Sequence, residues 1–155
     1  MRLYNTLSAT KEEFVTSSAE VKMYVCGVTP YSETHMGHAM SNIIFDVVRR
    51  YLLFRGHGVK YVQNITDIDD KIIERAAARG VPPSKLAQEY TERFFREMDR
   101  LNVLRPDISP RATEEIAVIV NMVRTLIDKG HAYASRGSVY FRVQTVPDYG
   151  RLSRR

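Results

Sequence analysis

Residues 21–38 read VKMYVCGVTPYSETHMGH, and the change of rhythm inside this stretch decides the fold. Val21 to Gly27 is short, rich in β-formers and closed by glycine, the pattern of a buried strand. From Met36 the apolar residues fall at Met36, Ala39, Met40, Ile43, Ile44, Val47, Val48, Tyr51 and Leu52. That is a broad stripe of helical period, running to about Phe54. RGHG (55–58) then breaks the helix, and VKYVQNIT (59–66) reads as a second strand. Strand, helix and strand with short links make a βαβ unit, which predicts an α/β fold with a parallel pair and a right-handed crossover.

Working outward, TDIDDKIIERAAARG (66–80) reads as a helix with Thr66 as N-cap, acids in the first turn and Gly80 as the stop. The next segment, 82–103, carries Ala87, Tyr90, Phe94, Met98 and Leu101 on one helical face. LRPDISPR (104–111) has two prolines and no periodicity, and is the expected domain boundary. Beyond it a helix is expected from Ala112 to Lys129, closed by Gly130, then a hairpin turning at Arg136-Gly137. No internal repeat or low-complexity segment interrupts the chain.

The chain has 155 residues, 44% hydrophobic and 26% charged, the composition of a soluble globular protein. No apolar run approaches the roughly 18 residues of a membrane span. The start, MRLYNTLSATKEEF, has no apolar signal core, so a cytoplasmic protein is expected. The single cysteine rules out an internal disulfide and fits a reducing compartment. The net charge of +5 and pI of about 9.4 favour phosphate or nucleic acid only mildly.

Chemistry concentrates where the first strand hands over to the first helix. In an open α/β sheet, ligands sit beyond the carboxyl ends of the strands. A helix N-terminus there offers unpaired N–H groups and partial positive charge, both suited to phosphate. His35 and His38 are three apart on the first turn, and Gly37 between them permits close approach. The plainer alternative is that one histidine caps and the other packs. Cys26 at the strand end is either a small buried hydrophobe or a zinc ligand lacking about three partners. Asp67, Asp69 and Asp70 lie beyond the second strand. They can hold magnesium or simply complement the dipole of a helix start. Thr66 can cap and line a pocket.

These residues carry a family resemblance. MYVCGVTPYSETHMGHAM (23–40), FDVVRRYLLFRGHGVKYVQNITDIDDKIIERA (45–76), LNVLRPDISPRATEEI (101–116) and LIDKGHAY (126–133) resemble the amino-terminal part of cysteinyl-tRNA synthetases. The likeness runs almost from Met1 to Arg155. His35-Met36-Gly37-His38 is similar to the class I "HIGH" signature, with methionine in second place.

The resemblance implies a Rossmann-like parallel-sheet catalytic domain. Its first half would span 1–103, and the start of a connective insertion would occupy 104–155. It implies ATP-dependent activation of L-cysteine to cysteinyl-adenylate and transfer to cysteine tRNA, with magnesium accompanying ATP and no membrane partner. It assigns His35 and His38 to catalysis and, with Gly37, to ATP. It assigns Gly27, Thr29 and Thr66 to the cysteine substrate, and Cys26 to zinc as the first ligand. The chain lacks the family's later zinc ligands, its Lys-Met-Ser-Lys-Ser loop and its tRNA-binding end, so an amino-terminal fragment, inactive alone, is expected. TPY…THMGHA also resembles the mycothiol-pathway cysteine ligase, which would form the same adenylate. A non-catalytic truncated paralogue that binds nucleotide is the other alternative.

Overall fold

The computed structural model describes residues 1–16 and 18–154. They fall into two compact units, one running Ser18–Glu115 and the other built from the first residues together with Ile116 onward.

The second of these units opens with β1 (Arg2–Asn5) and β2 (Thr10–Glu13), an antiparallel pair with Arg2 opposite Glu13. The longer unit holds the expected βαβ core. β3 (Glu20–Val28) leads to α1 (Met36–Phe54), and β4 (Gly58–Ile65) returns parallel to β3. Two helices follow, α2 (Asp70–Arg79) and α3 (Pro83–Arg100). Gly80 ends α2 at φ 63°, a left-handed position that glycine takes without strain. Back in the unit that β1 and β2 open come α4 (Ile116–Asp128) and the antiparallel pair β5 (Ala132–Ser135) and β6 (Ser138–Phe141). Its turn places Arg136 and Gly137 at φ 50° and 81°, the two positive values a tight hairpin turn requires.

Two apolar clusters hold the longer unit together. Val28 and Ile65 from the strand ends meet Phe94 and Met98 of α3. Ile72 and Ala76 of α2 pack on Leu86 and Ala87 of α3, with Tyr31 and Tyr90 alongside. Burying each large side chain contributes about 1.5–3 kcal/mol, so α3 is fixed against both strand ends.

Several sequence expectations are corrected here. Thr66 does not cap α2. Asp69 does, its Oδ1 accepting the Lys71 N–H at 3.0 Å, because β4 runs on to Ile65 and the helix starts only at Asp70. Leu101 does not share the buried face of α3. It lies past the last helical residue and is 46% exposed, while Thr91 takes a buried place, its hydroxyl bonded to the Ala87 carbonyl. The helix expected from Ala112 is a 3-10 turn, Ala112–Glu114, followed by α4 from Ile116.

The largest departure is α1. Of its predicted apolar stripe, Leu52 is buried, but Met36, Met40, Ile43, Ile44, Val47 and Tyr51 are exposed. The face turned inward carries Asn42, Asp46 and Arg49. Buried polar groups are rarely left unpaired, and of these three side chains only Arg49 Nε lacks a hydrogen-bond partner. Asp46 accepts the Leu104 N–H at 3.0 Å, and Arg49 donates to the Arg105 carbonyl at 2.7 Å and to Asp107 at 2.9 Å.

That pairing also holds the segment 104–111 against α1. Instead of leaving the sheet, this segment runs beside β4, with parallel bridges Val62 to Ile108 and Ile65 to Arg111. The compact unit therefore continues to Glu115, and β4 has a partner on both edges.

Candidate functional site

At the β3–β4 strand ends the ladder slips. Val25 pairs with Gln63 and Val28 with Ile65, so Cys26 and Gly27 together oppose Asn64 alone. This is a bulge, a device that re-aims a side chain. Gly27 fits because its missing Cβ would stand 1.6 Å from the Asn64 carbonyl oxygen. Asn64 Oδ1 accepts the Gly27 N–H at 2.8 Å and the Tyr24 O–H at 3.0 Å, and Asn64 Nδ2 donates to Thr66 Oγ1 at 3.2 Å. Cys26 is exposed, not a buried hydrophobe.

The link from β3 to α1 is tied down from outside. Pro30 is fully buried. Tyr31 packs on the α2–α3 cluster, with the Lys71 ammonium and Arg75 guanidinium 5.2 and 5.1 Å from its ring centre. Glu33 is ion-paired with Arg93 of α3, which Glu89 also holds at 2.7 Å. The Tyr31 N–H donates to the Thr29 carbonyl at 3.0 Å.

α1 begins with a reciprocal cap made of histidines. His35 Nδ1 accepts the Gly37 N–H at 3.1 Å, and His38 Nδ1 accepts the His35 N–H at 3.4 Å. The rings stack, centroids 3.8 Å apart and 18° from parallel. Capping and phosphate binding thus stop being rivals. A neutral imidazole that accepts at Nδ1 carries its proton on Nε2, so each ring keeps an N–H donor there. The His38 imidazole is held below its ordinary pKa, first by burial and then by the neighbouring His35.

A short relay docks this cap on the sheet. Asn42 Nδ2 donates to the His38 carbonyl at 2.9 Å, and the Gln63 side chain donates to Asn42 Oδ1 at 3.1 Å. Gln63 precedes Asn64 on β4, so the histidine cap and the Cys26 bulge share one strand as their reference.

Sequence reasoning passed over Asn64, Asn42, Gln63 and the Glu33–Arg93 pair. The available signal was two consecutive amides, Gln63-Asn64, inside a segment read as a strand. Thr29, half-buried, directly follows the last residue of β3.

The three acids after β4 do not converge. Asp67 accepts the Thr113 N–H at 3.0 Å and hydroxyl at 2.6 Å, Asp69 caps α2, and Asp70 is exposed in the first turn. Among the described residues no three His, Cys, Asp or Glu side chains are grouped to hold a metal. A zinc site takes about four ligands, and the bulge brings only the Cys26 thiol. The described residues therefore do not by themselves form a zinc site.

A match to the family described as tRNA synthetases class I (C) catalytic domain covers residues 13–155. The chain belongs to that family. It is 57% identical over its whole length to a cysteine--tRNA ligase of Dehalococcoides mccartyi, covering 34% of that protein. It is 50% identical to the cysteine--tRNA ligase of Maridesulfovibrio salexigens, covering 32% of it. The chain thus spans about a third of the length of the curated relatives it matches. Among solved structures, a Mycobacterium tuberculosis methionyl-tRNA synthetase in complex with methionyl-adenylate is similar with TM-score 0.65 and 26% identity, over 72% of this chain and 23% of that one. The parallel-sheet, Rossmann-like α/β class is therefore shared with class I synthetases. Among the described residues no helix is long and apolar enough to cross a membrane.

Proposed function

We propose that this chain contributes the ATP-binding and cysteine-binding elements of a cysteine--tRNA ligase. The observation that carries the proposal is the stacked His35–His38 cap. It uses both Nδ1 atoms on the α1 backbone and presents two Nε2 donors at a helix N-terminus beyond a parallel strand. The identity to cysteine--tRNA ligases over the whole chain supports cysteine and its tRNA as substrates, ahead of the aminosugar ligase.

In the proposed reaction, a carboxylate oxygen of L-cysteine attacks the α-phosphate of ATP and pyrophosphate leaves, giving cysteinyl-adenylate. A terminal ribose hydroxyl of the tRNA then takes the cysteinyl group and AMP leaves. The related methionyl enzyme was solved with the corresponding adenylate. Little covalent work falls to the protein, so positioning and charge stabilisation dominate. His35 and His38 donate to phosphate oxygens as charge moves toward pyrophosphate. Gly37 leaves the backbone open to the nucleotide, and magnesium arrives with ATP. Gly27, Thr29 and Thr66 line the amino-acid side.

Cys26 is proposed as one thiolate ligand for zinc, completed by ligands outside the described residues. A pocket that judges size alone separates cysteine from serine by about two orders of magnitude. A soft metal, when bound, would add a thiolate bond that serine's hydroxyl does not match.

The test is cysteine-dependent ATP–pyrophosphate exchange by the full enzyme carrying this sequence. His35→Ala with His38→Ala should lower exchange by about a hundredfold or more, the usual worth of a donor aimed at developing charge. Unchanged exchange in the double variant would sink the phosphate role.

A further inference from the structure

We infer that Asn64 is a positioning residue for amino-acid recognition, acting through the Cys26–Gly27 bulge and the Thr66 hydroxyl. The inference rests on the cysteine-activating reading above. Asn64 is the single residue opposite the two extra-register residues Cys26 and Gly27. A bulge leaves ladder groups without partners, and Asn64 supplies the replacement. Its side-chain Oδ1 takes the Gly27 N–H, while its main-chain carbonyl occupies the space a Gly27 side chain would need. The same Oδ1 anchors the Tyr24 hydroxyl, and Nδ2 fixes Thr66 Oγ1.

The arrangement demands two acceptor sites and a nearby donor within a two-carbon reach. Asparagine meets this demand. Aspartate keeps both acceptor sites and can take the Thr66 hydroxyl as a donor instead. Alanine keeps none, and it strands the half-buried Gly27 N–H. The positions fixed by Asn64 are the ones proposed to face cysteine, whereas the ATP-facing histidines reach β4 through Asn42 and Gln63. Loss of the Asn64 side chain should therefore separate the two substrates kinetically.

The experiment compares Asn64→Ala and Asn64→Asp in the full enzyme by pyrophosphate exchange. In Asn64→Ala the KM for cysteine should rise about tenfold or more, as expected for the loss of one to two polar contacts. The KM for ATP should stay within about twofold, and Asn64→Asp should recover most of the loss. Should Asn64→Ala fail to fold by circular dichroism, Tyr24→Phe removes one contact at an exposed hydroxyl and should raise the cysteine KM about threefold. Equal changes in both KM values, or Asn64→Asp as impaired as alanine, would overturn the inference.

A second readout needs no turnover. Cys26 is the sole cysteine of this chain, so its alkylation by iodoacetamide reports the bulge directly. In residues 1–155 expressed alone, provided the circular dichroism matches, the rate should change at least about threefold in Asn64→Ala. Identical rates would overturn the positioning role. Absence of cysteine-dependent exchange in the parent enzyme, with the alkylation difference intact, would instead count against the functional reading.

Discussion

His35 and His38 lie ring on ring, 3.8 Å between centroids, and each accepts one backbone N–H of the turn they begin. Either imidazole protonated at Nδ1 loses its capping bond. Two positive rings at that distance, on a helix end already partly positive, would also repel.

A pH dependence follows for His38. Burial, and then His35, hold its folded pKa below the ordinary 6.5, so the unfolded chain binds the proton first on acidification. Stability from this group is complete above about pH 6.5 and is lost as pH falls through the depressed folded value. Urea midpoints measured from about pH 8 down to pH 5 should fall, and His38→Gln should flatten that slope. An unchanged slope in the variant would assign the acid sensitivity to other groups.

Gly37→Ala tests the cap without removing a histidine. The added Cβ would sit 3.1 Å from His35 Cε1 and Nδ1, close enough to push the ring by a few tenths of an ångström. Alanine gains about 1 kcal/mol in helix propensity over glycine, so thermal stability should hold or rise slightly. Exchange activity should fall about tenfold or more if ring placement matters to the phosphate. A stable, fully active variant would mean that His35 does not need its present position.

Gly27→Ala should behave oppositely. Its Cβ meets backbone, the Asn64 carbonyl at 1.6 Å, and no rotamer can relieve that. The β3–β4 ends must separate, at a cost of at least about 3 kcal/mol. Chemical denaturation of the variant measures it. A loss below about 1 kcal/mol would show that the bulge is soft.

The βαβ core was legible because its signals are local. β-branched runs, a glycine stop and helical spacing each sit within one element, and β3, α1 and β4 appear where those signals lie. The facing of α1 was not legible. Periodicity marks an apolar stripe but cannot show which stripe a fold turns inward. Here the inward face was selected by distant partners, Leu104, Arg105 and Asp107, 56 to 58 residues away. The same limit hid Asn64. Its importance comes from a register slip between two strands 37 residues apart, which no single window of sequence displays.

The polar seam under α1 gives the last prediction. Arg49 is nearly buried, its guanidinium bonded to Asp107 at 2.9 Å and to the Arg105 carbonyl, and set 5.2 Å from the Tyr61 ring centre. Asp107 in turn accepts the Tyr61 N–H at 2.6 Å, so one carboxylate joins α1, β4 and the flanking segment. Arg49→Met leaves that carboxylate without its cation and should cost on the order of 3 kcal/mol. Adding Asp107→Asn removes the unpaired charge while an amide oxygen can still accept the Tyr61 N–H. The double variant should therefore be more stable than Arg49→Met alone, by about 1 kcal/mol or more. Denaturant midpoints of the two singles and the double decide the matter. If the double loses the sum of the singles, Arg49 and Asp107 act independently, and the seam that turns α1 polar side inward has another origin.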